Sequence, residues 1–340
     1  MRRRGEGSRT NPAKRPSAYH STMAQRTDAR EFFAALADRV EARLFGVRGP
    51  LRLVVIGLVS DAHVLIDDVP GVGKTTLVRT LAGLLGLEFA RVQFTPDLMP
   101  SDITGTSILN LKTQEFEFRP GPVFTQILLA DEINRATPKT QSALLEAMQE
   151  RQVTVDGEVH ALPEPFLVLA TENPVELEGT FPLPEAQLDR FLLRVRLGYP
   201  DEKQEEQILV KSRGERESAP VALPDAPDLA SLRAMADEVR IEEPVRRYAV
   251  SLVRATRKHA DLQVGASPRS VEHLGDAARA MALLDGREFV LPDDLKTLAQ
   301  PVLAHRLVLS TDARIRDRRA EDILAEVVAQ VPVPVEFETE

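Results

Sequence analysis

The sequence predicts an α/β fold, a parallel sheet packed between helices, followed by a small all-helical lid domain. Three observations predict it. The runs His63–Asp67, Ile127–Ala130 and Phe166–Ala170 are continuously apolar or nearly so, as strands buried on both faces require. Each ends in polar text (a glycine-bearing loop, Asp131-Glu132, and Thr171-Glu172-Asn173-Pro174), at the carboxyl ends where open parallel sheets place ligands. After Tyr199-Pro200 the strand pattern stops and apolar residues recur at helical spacing.

The 340 residues suffice for two cores, and with no cysteine the chain excludes disulfide frameworks and thiolate zinc sites. No apolar stretch approaches the roughly 20 residues that span a bilayer, and the first residues lack the apolar middle of a secretory signal. The expectation is a cytoplasmic protein without membrane insertion. The net charge is −9, yet residues 1–25 hold six Lys or Arg against Glu6, a surplus of five that leaves the body at −14. An acidic body opposes a general grip on nucleic acid. Residues 1–27 read as a disordered basic extension, in part upstream of a candidate start at Met23, with a nucleic-acid-binding arm as the alternative.

A helical stripe (Phe32, Phe33, Leu36, Val40, Leu44) predicts an entry helix over Asp28–Phe45, and a second helix covers Leu51–Val59. The strand His63–Asp67 then runs into Asp68-Val69-Pro70-Gly71-Val72-Gly73-Lys74-Thr75-Thr76. Gly71, Gly73, Lys74 and Thr75 fit the end of a phosphate-binding loop, whose backbone N–H groups and helix N-terminus converge on phosphate oxygens. Lys74 would reach the β and γ phosphates and Thr75 would hold Mg²⁺. One position departs: Asp68 stands where the pattern has its first glycine. A plain Gly/Pro turn between strand and helix is the alternative. The helix runs to about Leu85, closed by Gly86, and the strand Phe89–Phe94 completes a βαβ unit.

Between Thr95 and Phe124, two alternating runs (Ser107–Leu111 and Glu115–Arg119) predict an exposed hairpin-like insert; an ordinary surface loop is the alternative. Asp131 and Glu132 follow a buried strand: Asp131 would hold the magnesium shell and Glu132 would polarise the attacking water. Thr137-Pro138 opens a helix with Leu144, Leu145 and Met148 inward, and Asp156-Gly157 joins Gln152–Val155 to Glu158–Ala161 as a hairpin of no visible purpose. Asn173 is a candidate for orienting water or the γ phosphate, or a loop residue capping its own turn. Pro182–Arg190 is a short helical segment before the strand Phe191–Leu197, and Asp189-Arg190 reads equally as a surface ion pair. Helices are expected near Asp201–Arg213, Leu229–Val239, Pro244–His259, Pro268–Leu284, Pro292–Leu307 and Ala320–Val328, with Ser267 as an N-cap and Arg269 beside it, before an acidic tail over 331–340.

Asp68–Thr75, Asp131-Glu132 with Ile133–Ala136, Gln141–Arg151, Ala170–Pro174, Pro182–Phe191 and Gly265–Ser270 together resemble the MoxR family of AAA+ ATPases over about Arg30–Leu309. The resemblance implies a P-loop NTPase core over 28–200 and a lid over 201–330, in a homo-oligomeric ring, usually a hexamer, with ATP and Mg²⁺ at subunit boundaries. It implies Walker A at Lys74 and Thr75, Walker B at Asp131 and Glu132, sensor 1 at Asn173, an arginine finger at Arg190 and sensor 2 at Arg269. It further implies chaperone-like maturation of client complexes, commonly with a von Willebrand factor A domain partner. A magnesium-chelatase-like motor, a DNA-directed motor and a non-hydrolysing nucleotide-gated scaffold are the alternatives.

Overall fold

A computed structural model describes residues 18–172, 179–210, 220–224 and 226–334, with side chains from residue 29 onward. Five parallel strands form the central sheet: β1 (His63–Asp67), β2 (Phe89–Gln93), β5 (Ile127–Asp131), β8 (Leu167–Glu172) and β9 (Phe191–Val195), in the order β2-β5-β8-β1-β9. β8 therefore lies between the strand that feeds the glycine loop and the strand that ends in the two acids. The continuous apolar runs alternate between two cores. Val64, Ile66, Ile127, Leu129, Leu167 and Leu169 face one cluster, while Leu65, Leu128, Ala130, Val168 and Ala170 face the other. Burying each Val, Leu or Ile side chain among them contributes about 1.5–3 kcal/mol, so one-residue slips in register are strongly opposed.

The first core is covered by α1 (Ala18–Glu41), α2 (Arg48–Val59) and α3 (Lys74–Leu85), and it continues without a break into the lid helices 269–284 and 292–303. The second is covered by α5 (Pro138–Glu150). Gly86, with φ 67°, ends α3 as expected.

The insert holds a short helix, α4 (Pro100–Thr104), then β3 (Gly105–Asn110) paired antiparallel with β4 (Glu115–Pro120). The second hairpin, β6 (Gln152–Val155) and β7 (Glu158–Ala161), turns at Asp156 and Gly157 with φ of 51° and 86°. Phe118 of β4 stacks on His160 of β7 at 3.9 Å, and Phe124 meets Phe118 edge-on at 5.5 Å, so the two hairpins are joined by aromatic contact.

Three expectations need correction. α1 begins at Ala18, ten residues before the expected Asp28, so part of the presumed disordered extension is helical, as Ala18, Met23, Ala24 and Gln25 favour. The lid is not purely helical: Leu262–Val264 and Val308–Leu309 pair antiparallel, each too short for an alternating pattern to show. Ser267 does not cap the helix Arg269–Leu284. Pro268 occupies the N-cap position, and the Ser267 hydroxyl lies 3.4 Å from Ser270 Oγ instead.

Candidate nucleotide site

β1 delivers the chain into residues 68–73, and Gly73 turns it into α3 with φ 96°. Glycine is required there: the conformation is left-handed, and a Cβ would stand 2.6 Å from Leu44 Cδ1. The turn leaves the first N–H groups of α3 without intrahelical acceptors and aimed over the loop, a seat for anions. Lys74 is buried at 9% exposure and donates through Nζ to the Asp68 carbonyl at 2.8 Å, an exchangeable partner for a phosphate oxygen. Thr75 is half-buried in the same turn, while Pro70, Gly71 and Thr76 are exposed; Val69 is half-buried and Val72 is buried.

Two strands away, the acids at the tip of β5 are held by a residue that the sequence reading did not single out. Thr171 of β8 donates its hydroxyl to Asp131 Oδ1 at 2.7 Å and accepts the Glu132 backbone N–H at 2.8 Å. Glu132 itself adopts φ 55° and ψ 51°, a left-handed conformation that costs a non-glycine residue of order 1 kcal/mol and directs its side chain out of the strand. Its carboxylate accepts from Gln93 Nε2 at 2.8 Å and Arg135 at 3.0 Å. Asp131 Oδ2 accepts from Arg91 at 2.6 and 3.1 Å. Arg91 and Gln93 share one face of the edge strand β2, and a tertiary pairing, β2 on β5, brings them to the acids.

Beneath the loop, Asp67 is 4% exposed and pairs with Arg194 at 2.5 Å and Arg196 at 2.8 Å. Burial raises its pKa, but the two guanidiniums outweigh burial and hold the carboxyl below its usual range. Burial pushes Glu172 the other way, upward, partly opposed by Arg194 and assisted by Asp67.

A cleft opens beside the loop, lined by Leu44, Phe45, Val47, Val72, Gly198, Tyr199, Pro200 and Ile208 among others. It joins three distant segments: the chain after α1, the glycine loop, and the passage from β9 into the helix Glu202–Val210. No local pattern marks it.

Lys74, Thr75, Asp131 and Glu132 thus gather at the carboxyl end of the sheet. Arg190 does not. It precedes Phe191, which pairs with His63 at the opposite end of β1, and His63 lies four steps along the strand from Asp67, about 13 Å. Its guanidinium donates to the Leu145 carbonyl of α5 at 2.8 Å. Arg269 lies toward the same end: its charge reaches His273 and Arg306, and Arg306 binds Asp189 at 2.8 Å. Arg269 is exposed. Asn173 follows the last described residue of β8 and lies outside the described residues.

Residues 63–193 match the ATPase family associated with various cellular activities (AAA), and residues 254–327 match the AAA lid domain. The chain is 42% identical to Chaperone MoxR1 of Mycobacterium tuberculosis over 320 residues, which cover 89% of this chain and 85% of that one. It belongs to the MoxR family of AAA+ ATPases. This MoxR-family chain is also 47% identical to the uncharacterized protein YeaC of Bacillus subtilis, over 92% of its own length and 98% of YeaC. A crystal structure assigned as an ATPase from Cytophaga hutchinsonii superposes with a TM-score of 0.84 at 37% identity, covering 93% of this chain and 99% of the other. The αβα core and helical lid expected of a MoxR-type, chaperone-like AAA+ protein are present. Among the described residues no helix is long and apolar enough to cross a membrane.

Family membership implies nucleotide binding, usually with Mg²⁺. The donor set fits such a cation. The hydroxyl of half-buried Thr75 and the carboxylate of buried Asp131, hard oxygen donors at the same end of the sheet, are the groups that would hold it. That suits Mg²⁺, which keeps several waters and takes one or two protein oxygens plus substrate phosphates.

Proposed function

We propose that this protein hydrolyses ATP at the boundary between neighbouring copies in a ring and uses the cycle to remodel a partner complex. The observation that carries the hydrolytic half is Glu132, held by Thr171 in a left-handed turn at the tip of a buried strand, two strands from a glycine loop with a buried lysine. A strained, hydrogen-bonded carboxylate in that place is what a water-activating base needs.

In this reading Lys74 exchanges the Asp68 carbonyl for the β and γ phosphates, and the N–H groups of residues 69–74 cradle the chain of phosphates. Thr75 and Asp131 would hold magnesium, which would supply charge neutralisation at the phosphates. Glu132 gives up Gln93 and Arg135 and accepts a proton from the attacking water; Asn173 orients that water. The adenine ring lies in the cleft between Val72 and the segment 197–200. Arg190 and Arg269, at the far end of the sheet from their own loop, serve a neighbour's nucleotide, which makes turnover depend on assembly.

Support for the remodelling half is the projecting pair of joined hairpins, where Leu111, Phe116 and Val159 stand in solvent at 85%, 74% and 60% exposure. Apolar surface left in solvent is where we place the contact with the partner complex. A von Willebrand factor A domain protein is the partner the resemblance suggests.

The test is turnover by Glu132→Gln. Retention of Mg·ATP with hydrolysis reduced by roughly 10²-fold or more is expected. Ordinary turnover in that variant removes Glu132 as the base.

A further inference from the structure

The phosphate loop departs from its usual pattern at Asp68, and the departure has a structural use. The carboxylate is 8% exposed and accepts three backbone N–H groups. Oδ1 takes Val69 N at 3.0 Å; Oδ2 takes Leu197 N at 2.6 Å and Gly198 N at 2.9 Å. Glycine, the occupant in the general pattern, offers no side-chain acceptor. Leu197 and Gly198 belong to the passage between β9 and the lid, and with Tyr199 and Pro200 they wall the cleft that faces Val72. Val72 comes from the loop that Asp68 opens. Charge-assisted bonds of this length are about twice as strong as neutral ones, so one buried carboxylate clamps the far wall of the cleft onto the phosphate loop.

We propose that Asp68 is a positioning residue for the nucleoside. It fixes the Leu197–Gly198 backbone at a set distance from Val72, so that the seat of the base and the seat of the phosphates form one rigid unit. This rests on the nucleotide reading above, the base's seat in the cleft included, and deepens it by assigning the residue that ties the wall of that cleft to the phosphate loop. The residue also touches the phosphate side: its own carbonyl receives Lys74 Nζ at 2.8 Å. Without the carboxylate, the N–H of Gly198, an exposed residue, and that of half-buried Leu197 turn to water. The fold survives, while the wall of the cleft loosens.

The test separates the two halves of the ligand. Titration calorimetry compares Mg·ATP with Mg·tripolyphosphate, which carries the phosphates and no nucleoside, on the full chain and on its Asp68→Gly and Asp68→Asn variants. Asp68→Gly is expected to keep tripolyphosphate affinity within about threefold and to lose about tenfold or more in ATP affinity, the worth of a lost hydrogen bond to a charged group. Asp68→Asn, which retains a carbonyl acceptor for the Leu197 and Gly198 N–H groups, falls between. Equal losses for both ligands would show general damage to the loop and overturn the proposal; so would an ATP preference that Asp68→Gly leaves intact. If the unmodified chain binds tripolyphosphate as tightly as ATP, the cleft contributes nothing and the proposal fails while the phosphate site stands. Binding of neither ligand would remove the nucleotide reading and the proposal with it.

Discussion

At the carboxyl end of the sheet, charged groups sit in partnerships that can be exchanged. Lys74 rests on a carbonyl, Arg91 on Asp131 with its side chain 44% exposed, and Glu132 on Gln93 and Arg135. At the amino end the partnerships are closed. Arg306, 7% exposed, donates to Asp189, to the Phe191 carbonyl at 2.7 Å and to the Leu192 carbonyl at 3.3 Å. His305 meets the Phe191 carbonyl at 3.1 Å, and His63 bridges α5 and β8. One end of the sheet is arranged to accept a ligand, while the other ties the lid to β9 and presents Arg190 beside that tie. We propose that each subunit contributes half of a site from each end, which would make a ring rather than a single chain the working unit.

The sharpest way to break that comparison is to remove the arginine. Arg190→Ala is expected to bind ATP with unchanged affinity and to lose on the order of 10² to 10³ in turnover, the scale of a missing charge-stabilising donor. Mixing it with Lys74→Ala subunits is expected to restore part of the activity. In mixed rings an intact loop from one variant meets an intact arginine from the other, and a steady-state assay across mixing ratios reads the recovery. Full activity of Arg190→Ala alone would place the functional arginine elsewhere.

A smaller effect is expected at the hydroxyl that organises the acids. Thr171→Val keeps the shape of the side chain but leaves Asp131 Oδ1 and the Glu132 N–H without their shared partner. Losing hydrogen bonds of roughly 1.5–3 kcal/mol should lower kcat by about 10- to 100-fold, with little change in the KM for ATP. Thr171→Ser should recover most of it. A rise in KM at constant kcat would assign Thr171 to binding instead.

Legibility in the sequence followed the range of the interaction. Ile127–Ala130 was readable as a strand because continuous burial leaves a continuous apolar run. The second hairpin was readable to the residue because Asp156-Gly157 suits a turn with positive φ at both positions. What sheet order creates was not readable. Thr171 touches both acids because β8 is inserted beside β5, and Arg91 and Gln93 reach them because the edge strand β2 is in register with β5. The cleft needs residues 43–47 beside 197–200, a contact made only when α1 and the lid close over one core. Asp68 looked like a flaw in a motif because its partners, Leu197 and Gly198, lie at the far end of the core domain.

The closed end of the sheet makes a last prediction, about stability rather than turnover. His63 is fully enclosed: its Nδ1 accepts the Val168 N–H at 3.0 Å, so the proton sits on Nε2, which donates to the Met148 carbonyl at 3.1 Å. The neutral ring satisfies both bonds, and a second proton would have no acceptor. Burial, with the nearby charge of Arg151, lowers its pKa to about 3; burial, with Arg306, lowers that of His273 to about 4. Unfolding returns both to about 6.5, so the unfolded chain binds more protons and stability falls with acidity. The contribution is whole above pH 6.5 and is lost as the pH drops toward 4 and then 3. For His63 alone the loss at pH 5.5 comes to about 1.4 kcal/mol. His63→Gln supplies an N–H donor and a carbonyl acceptor but no titrating group. Urea unfolding at pH 7.5 and 5.5 should therefore show a smaller drop in the variant than in the parent chain, by about that amount. An equal drop in both would mean that the His63 ring takes up its second proton inside the folded protein, against the two bonds that hold it neutral.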